Sequence, residues 1–123
     1  MASVKPKIRA ERVYDDPEGT TGGFRVFVDR LWPRGESKAL FHYDLWAKDL
    51  TPSTELRRWF HEDRNGRWEE FGRRFEAELK ANPAVNGVLD ILRQHSDIVL
   101  LSAVRDLTHS HVVILTKFLS EKL

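Results

Sequence analysis

Apolar residues recur along this chain with two different periods, and each change of period marks a change of element. From Ile8 to Tyr14 a weak alternation suits a first strand. Phe24, Val26 and Val28 alternate with their neighbours and fall on one face of a second strand, Phe24 to Asp29, because strand side chains repeat every two residues. Phe41, Tyr43 and Leu45 repeat that spacing and predict a third. Asp97 then opens Ile98-Val99-Leu100-Leu101, an unbroken apolar run of the kind found in strands covered on both faces.

Helical spacing dominates the segment between. Thr51 or Ser53 can cap the free amides of a helix, with Pro52 preset for its first turn, and Leu56, Trp59 and Phe60 share its buried side. Asp63 to Gly66 is a turn. From Arg67 to Lys80, Trp68, Phe71, Phe75 and Leu79 form one stripe. On the other side Glu69–Arg73, Glu70–Arg74 and Glu76–Lys80 are favourable four-apart pairs. Asn82-Pro83 starts a further helix that buries Val85, Val88, Leu89 and Leu92, and a last amphipathic helix runs from about Thr108 to Leu119. Met1 to Lys7 reads as a loose start, Asp15 to Gly23 as a loop, and Ser37 to Leu40 as a short helical turn. Strands mixed with helices, one of the strands apolar on both faces, predict an α/β fold. The architecture expected is a small three-layer sandwich with a mostly parallel central sheet flanked by helices. A chain of 123 residues makes this a single domain, 1–123, with a core of its own. Strand order and oligomeric state are not written in the pattern.

Composition narrows the chemistry. With 41% apolar and 32% charged residues the chain is globular rather than disordered. It has no cysteine, which excludes disulfides, zinc-thiolate centres and thiol catalysis. No apolar run approaches the ~20 residues of a membrane span, and no signal-peptide pattern opens the chain, so a cytoplasmic location and no membrane partner are expected. A net charge of +1 gives no general support for nucleic acid as a partner. The cations are nonetheless skewed: 13 of the 20 are arginines, several beside the four tryptophans. The plain explanation is that arginine stems cover aromatic edges while their heads stay wet.

Three segments carry candidate chemistry. The first is Val28-Asp29-Arg30-Leu31-Trp32-Pro33-Arg34-Gly35, where a strand runs into two guanidiniums separated by an indole. Arg30 and Arg34 would hold a carboxylate or phosphate and Trp32 would stack on a ring. The structural alternative is that Asp29 pairs with an arginine and Trp32 closes the sheet edge. The second is the helix start at Pro52-Ser53, whose free amides attract anions, with Arg57 and Arg58 one turn on. The third, Ser102-x-x-Arg105-Asp106-x-x-His109-x-His111, follows the buried strand, where open parallel sheets place ligands. Asp106 with His109 would serve as an acid/base pair, and with His111 these are conceivable metal ligands, although the spacing is not a metal motif. On a helix begun near Thr108, His109 and His111 point to different sides. Alternatively, Asp106 or Thr108 caps that helix. No metal site and no cofactor is assigned, and no phosphate loop, nucleophile elbow or dinucleotide fingerprint is present.

Ile8 to Asp15, then Val28 through Gly35, then Leu45-Trp46-x-Lys48-Asp49-Leu50-x-Pro52-Ser53-x-Glu55-Leu56-Arg57-x-Trp59-Phe60, then Leu100-Leu101-x-Ala103-x-Arg105-Asp106 with His109, resembles the YeaO-like branch of domain-of-unknown-function family 488. The likeness spans nearly the whole chain in order. It implies a cytoplasmic prokaryotic α/β domain without an assigned activity. Asp29, Arg30, Trp32, Pro33, Arg34, Lys48, Ser53, Arg57, Arg105, Asp106 and His109 are the positions that match its pattern. The chain departs from that pattern at Val104, in place of alanine, and at Ser110, where asparagine is frequent.

The leading expectation is a site for a small anionic ligand, a nucleotide or a nucleic-acid end. Arg30, Arg34 and Arg105 would neutralise phosphate, Trp32 or Trp46 would stack on a base, and Asp29, Ser53, Arg57 and Ser102 would complete the ligand set. The alternatives are a hydrolytic enzyme using Asp106 and His109, and a protein-interaction module built on the arginine–tryptophan surface. All depend on whether Arg30, Arg34, Arg105 and His109 meet in one pocket.

Overall fold

The run Ile98 to Leu101 lies at the centre of the sheet. In the computed structural model, which describes residues 5–123, β4 (Asp97–Ser102) sits between β1 (Lys7–Arg12) and β2 (Phe24–Phe27). Leu100 is opposite Ala10 on one side and Val26 on the other. A two-residue strand, β3 (Leu45–Trp46), pairs with the outer side of β2. All pairings are parallel and the order is β1-β4-β2-β3. An unbroken apolar sequence is what a strand flanked by neighbours and covered above and below requires.

Four helices, α1 (Thr54–Glu62), α2 (Trp68–Ala81), α3 (Ala84–Leu92) and α4 (His111–Lys122), all pack on one face of the sheet. Phe60, Phe71, Phe75, Leu89 and Leu115 join Val26, Ile98 and Leu100 there in one cluster. Complete burial of a side chain such as Phe75 stabilises by about 1.5–3 kcal/mol. The opposite face, Phe27, Val99 and Leu101, meets Phe41 together with half-buried Trp32, Tyr43 and Trp46. The α/β class and the parallel sheet are as the sequence predicts. The second covering layer, however, is irregular aromatic chain rather than helix, because the segment between β2 and β3 stays on that side.

Local differences from the sequence pattern have local causes. Phe41 and Tyr43 precede β3 instead of extending it; their alternation reflects packing on Phe27 at 5.2 and 6.5 Å between ring centroids. Ser53 is the N-cap of α1, accepting from the Leu56 amide, so Pro52 lies before the helix rather than in its first turn. Arg73 turns to Glu70 at 2.6 Å instead of pairing with Glu69, whereas Glu70–Arg74 and Glu76–Lys80 form as expected. The last helix begins at His111. Asp106 caps a separate 3-10 turn, Leu107–His109, and extended Ser110 (φ −144°, ψ 176°) interrupts the chain and caps α4 through the Val112 amide. β1 ends at Arg12 and β2 at Phe27, although Val28 still donates to the Leu101 carbonyl. Of the expected loose start, Met1 to Val4 lie outside the described residues and Lys7 already belongs to β1. No helix among the described residues is long and apolar enough to cross a membrane.

Candidate functional site

At the carboxyl ends of β2 and β4 the Asp29 carboxylate is engaged on all sides. Its Oδ1 accepts from Ser102 Oγ at 2.6 Å and its Oδ2 from the Ala103 amide at 2.7 Å. His111, the first residue of α4, donates from Nε2 to the Val28 carbonyl at 2.8 Å and lies 3.3 Å from Asp29 Oδ1. Burial pushes the Asp29 pKa up, but the His111, Ser102 and Ala103 contacts outweigh it and hold the carboxyl below its ordinary value. Trp46 Nε1 also donates to the Asp29 carbonyl at 2.7 Å. Where β2 ends and the arginine loop begins, the chain is therefore fixed from β3, β4 and α4 at once.

Beyond this anchor opens a cleft of about 1080 Å³. Arg30 and Arg34 reach it from the loop after β2, and Arg105 from the turn after β4. Arg57 and Arg58 on α1, and Arg64 just past it, line the same cleft. Phe60 and Phe71, stacked at 4.1 Å and almost wholly buried, form part of the floor. Tyr14 stands at the rim, its hydroxyl donating to the Arg34 carbonyl at 2.9 Å.

The arginines of this protein divide sharply by location. Outside the cleft, Arg9, Arg25, Arg67, Arg73, Arg74 and Arg93 each pair with a carboxylate, and Arg12 donates to the Val104 carbonyl. Among the described residues, none of the six cleft arginines has a side-chain bond to an acceptor oxygen. Arg64 alone has a partner, His61 Nδ1, at 3.1 and 2.7 Å. The Arg30 Nε is buried with no partner at all. The acids of the cleft offer little compensation: Asp29 is engaged as above, Glu62 binds Arg67 at 2.8 Å, and Asp106 accepts from Thr108. Like charges gathered without counter-charge work against folding, and a bound anion relieves that repulsion.

Three histidines complete the lining. His61 accepts from Arg64 at Nδ1, so its ring is neutral with the proton on Nε2; desolvation, then Arg64 and Arg57, hold its pKa below the ordinary value. His109 stacks on Trp68 at 4.1 Å, with its Nε2 buried and unpartnered. Asp106 takes the Thr108 hydroxyl at 2.6 Å and amide at 3.0 Å; those bonds, more than His109, hold its pKa low. His111 also lines the cleft, with its Nε2 on the Val28 carbonyl and beside Asp29. Among the described residues no three His, Asp or Glu side chains are grouped to share a metal ion.

Of the residues singled out from sequence, Asp29, Arg30, Trp32, Arg34, Arg57, Arg58, Arg105, Asp106, His109 and His111 meet at this cleft. Ser53 does not. It lies on another side of α1, where its Oγ donates to Glu78 Oε2 at 2.6 Å and its amide to Oε1 at 2.9 Å. Ser102 lies beneath the cleft, fully buried, with its hydroxyl committed to Asp29. Trp46 belongs to the aromatic layer, with Lys48 over its ring at 4.3 Å, and does not line the cleft. Trp32 only borders it: Nε1 donates to the Glu36 carbonyl at 2.9 Å, and the ring packs on Phe41 and Trp46. Sequence reasoning missed His61, Arg64 and Tyr14. His61 had a signal, since it follows Arg57 by four positions on one face of a helix, whereas Arg64 lies in the turn beyond that helix. Tyr14 had none.

Residues 7–123 match the family model described as the inactive DUF488-N3 subclade. The chain is 36% identical over 114 residues to an uncharacterized protein of Mycobacterium tuberculosis, covering 93% of this chain and 94% of that one. It is also 36% identical over 112 residues to the uncharacterized protein YeaO of Escherichia coli, covering 91% and 96%. No solved structure matches it.

Proposed function

This chain belongs to the inactive DUF488-N3 subclade of the DUF488 family, and on that premise we propose that its cleft binds a small phosphorylated ligand, a nucleotide or a nucleic-acid end, without transforming it. The observation that carries this reading is the division of the arginines: those outside the cleft have oxygen partners, and the six that line it have none among the described residues. A guanidinium is a rigid fork matched to phosphate oxygens, and each charge-assisted hydrogen bond contributes about 1.5–3 kcal/mol. In a concave site such charges also focus the field, so a cleft of this kind attracts anions even though the net charge of the chain is only +1.

The hydrolytic alternative has weaker support. Asp106 is an exposed cap already bonded to Thr108, and His109 is stacked on Trp68. The subclade's description as inactive points the same way. A protein-interaction surface would need an exposed tryptophan, and Trp32 is half-buried in the aromatic layer.

The test is calorimetric titration at low salt with AMP, ADP and a short 5′-phosphorylated oligonucleotide. Wild type binds at least one of these, and binding weakens as salt rises. Arg34→Ala reduces affinity roughly tenfold or more, whereas Arg73→Ala, outside the cleft, changes nothing. Failure of every phosphorylated ligand to bind at low salt removes the proposal.

A further inference from the structure

The arginines lining the cleft form two groups, or walls, by the part of the fold that supplies them. Arg30, Arg34 and Arg105 stand on the rim of the sheet, at the ends of β2 and β4. Arg57, Arg58 and Arg64 come from α1 and the turn that follows it. The same cleft is also lined by apolar groups, including Phe60, Phe71 and Val104.

A single phosphate is too small for this arrangement. It carries a charge of about −1.5 to −2 near pH 7 and only three or so free oxygens, enough for two bidentate guanidiniums. Six arginines around one such group would remain mostly unneutralised. The volume argues likewise: about 1080 Å³ lies at or above the upper end for drug-sized ligands, roughly 300–1,000 Å³. Nor is either wall neutralised from within the protein. Arg64 is held by a neutral imidazole, and the buried Nε of Arg30 has no partner.

Resting on the binding function argued above, we propose that the ligand is a nucleotide with at least two phosphate groups, one taken by the sheet-rim arginines and the other by the α1 arginines. The nucleoside portion covers the apolar lining of the cleft. Arg57 and Arg105 are then recognition residues for different phosphates of one molecule.

Binding of AMP, ADP, adenosine 3′,5′-bisphosphate and inorganic pyrophosphate separates the possibilities, measured on wild type, Arg57→Gln and Arg105→Gln. Melting midpoints of both variants establish that they are folded, and Arg58→Gln replaces Arg57→Gln should the latter fail. At least one of ADP and the bisphosphate binds roughly tenfold or more tighter than AMP, and each variant weakens that ligand by a similar factor. On AMP, whose one phosphate occupies one wall, only one of the two variants has an effect. Which two-phosphate nucleotide wins reports whether the groups are adjacent or separated across the ribose. Pyrophosphate binding as tightly as either nucleotide would discard the nucleoside contribution. AMP binding within about threefold of both two-phosphate nucleotides, or a folded α1-wall variant without effect on any of them, would overturn the two-wall proposal and leave simple anion binding standing. Absence of all binding would sink both readings together.

Discussion

Ser102 Oγ donates a 2.6 Å hydrogen bond to the Asp29 carboxylate, joining the ends of two neighbouring strands across 73 positions of sequence. That bond, with the Ala103 amide on the other oxygen, sets where Arg30 leaves the sheet. Asp29 is thus a positioning residue in the lining of the cleft, and the guanidiniums that line it too do not share its carboxylate.

Asp29→Ala leaves the Ala103 amide and the buried Ser102 hydroxyl without their acceptor. It is expected to lower stability by about 2–4 kcal/mol, read from urea unfolding. The acid limb carries a sign. Because the folded pKa lies below the ordinary 3.8, the stabilising share of Asp29 is complete above that value and is lost as pH falls through the folded one. Wild type therefore loses more stability than Asp29→Asn as pH drops below about 4. Parallel acid limbs for the two proteins would contradict this.

His61 supplies a pH dependence of ligand binding. The free protein holds it neutral, with its pKa below the ordinary 6.5, by desolvation and by Arg64 and Arg57. An anion among those arginines raises that pKa, so binding takes up protons and tightens as pH falls through the region of 6.5 and below. Calorimetry in two buffers of different ionisation enthalpy measures the uptake. His61→Gln should abolish most of it; unchanged uptake would assign the proton to another group.

Ser53→Ala removes the α1 cap and one partner of Glu78, at a cost of about 1 kcal/mol or more. Phosphate binding is expected to persist unchanged, since Ser53 is outside the cleft. A loss of affinity comparable to that of Arg34→Ala would place the α1 N-terminus in the site after all.

Arg25 is the structural counterpart of the cleft arginines. It is 1% exposed, with Nε on the His42 carbonyl at 2.8 Å and its other end on Asp16, whose carboxyl the Thr20 and Thr21 amides keep ionised. Arg25→Ala should destabilise by roughly 3–5 kcal/mol, measured by denaturant unfolding, with ligand affinity per folded molecule unaltered.

Arg25 and Arg30 show where sequence reading stops. They are five positions apart and of one residue type, yet one is locked inside and the other is left over. The difference depends on Asp16 and His42 folding back over β2, and no periodicity encodes that. Arg30, Arg34 and Arg105 were legible as candidates because charge stands at the end of apolar strands, where a core alone has no use for it. Ser53 and Trp46 were misplaced for the same reason in reverse. A cap and an indole look alike in sequence whether they face a ligand or their own neighbours.

The sequence by itself determined the α/β class, the central buried strand and most helix faces, because a period of two or of 3.6 follows directly from backbone geometry. Only the tertiary structure decided that the second cover of the sheet is aromatic coil and that α1 turns its arginines toward those of the sheet rim. It also decided which guanidiniums go without a carboxylate. Those are outcomes of long-range packing, in which each charge finds or misses its partner only after distant segments have met.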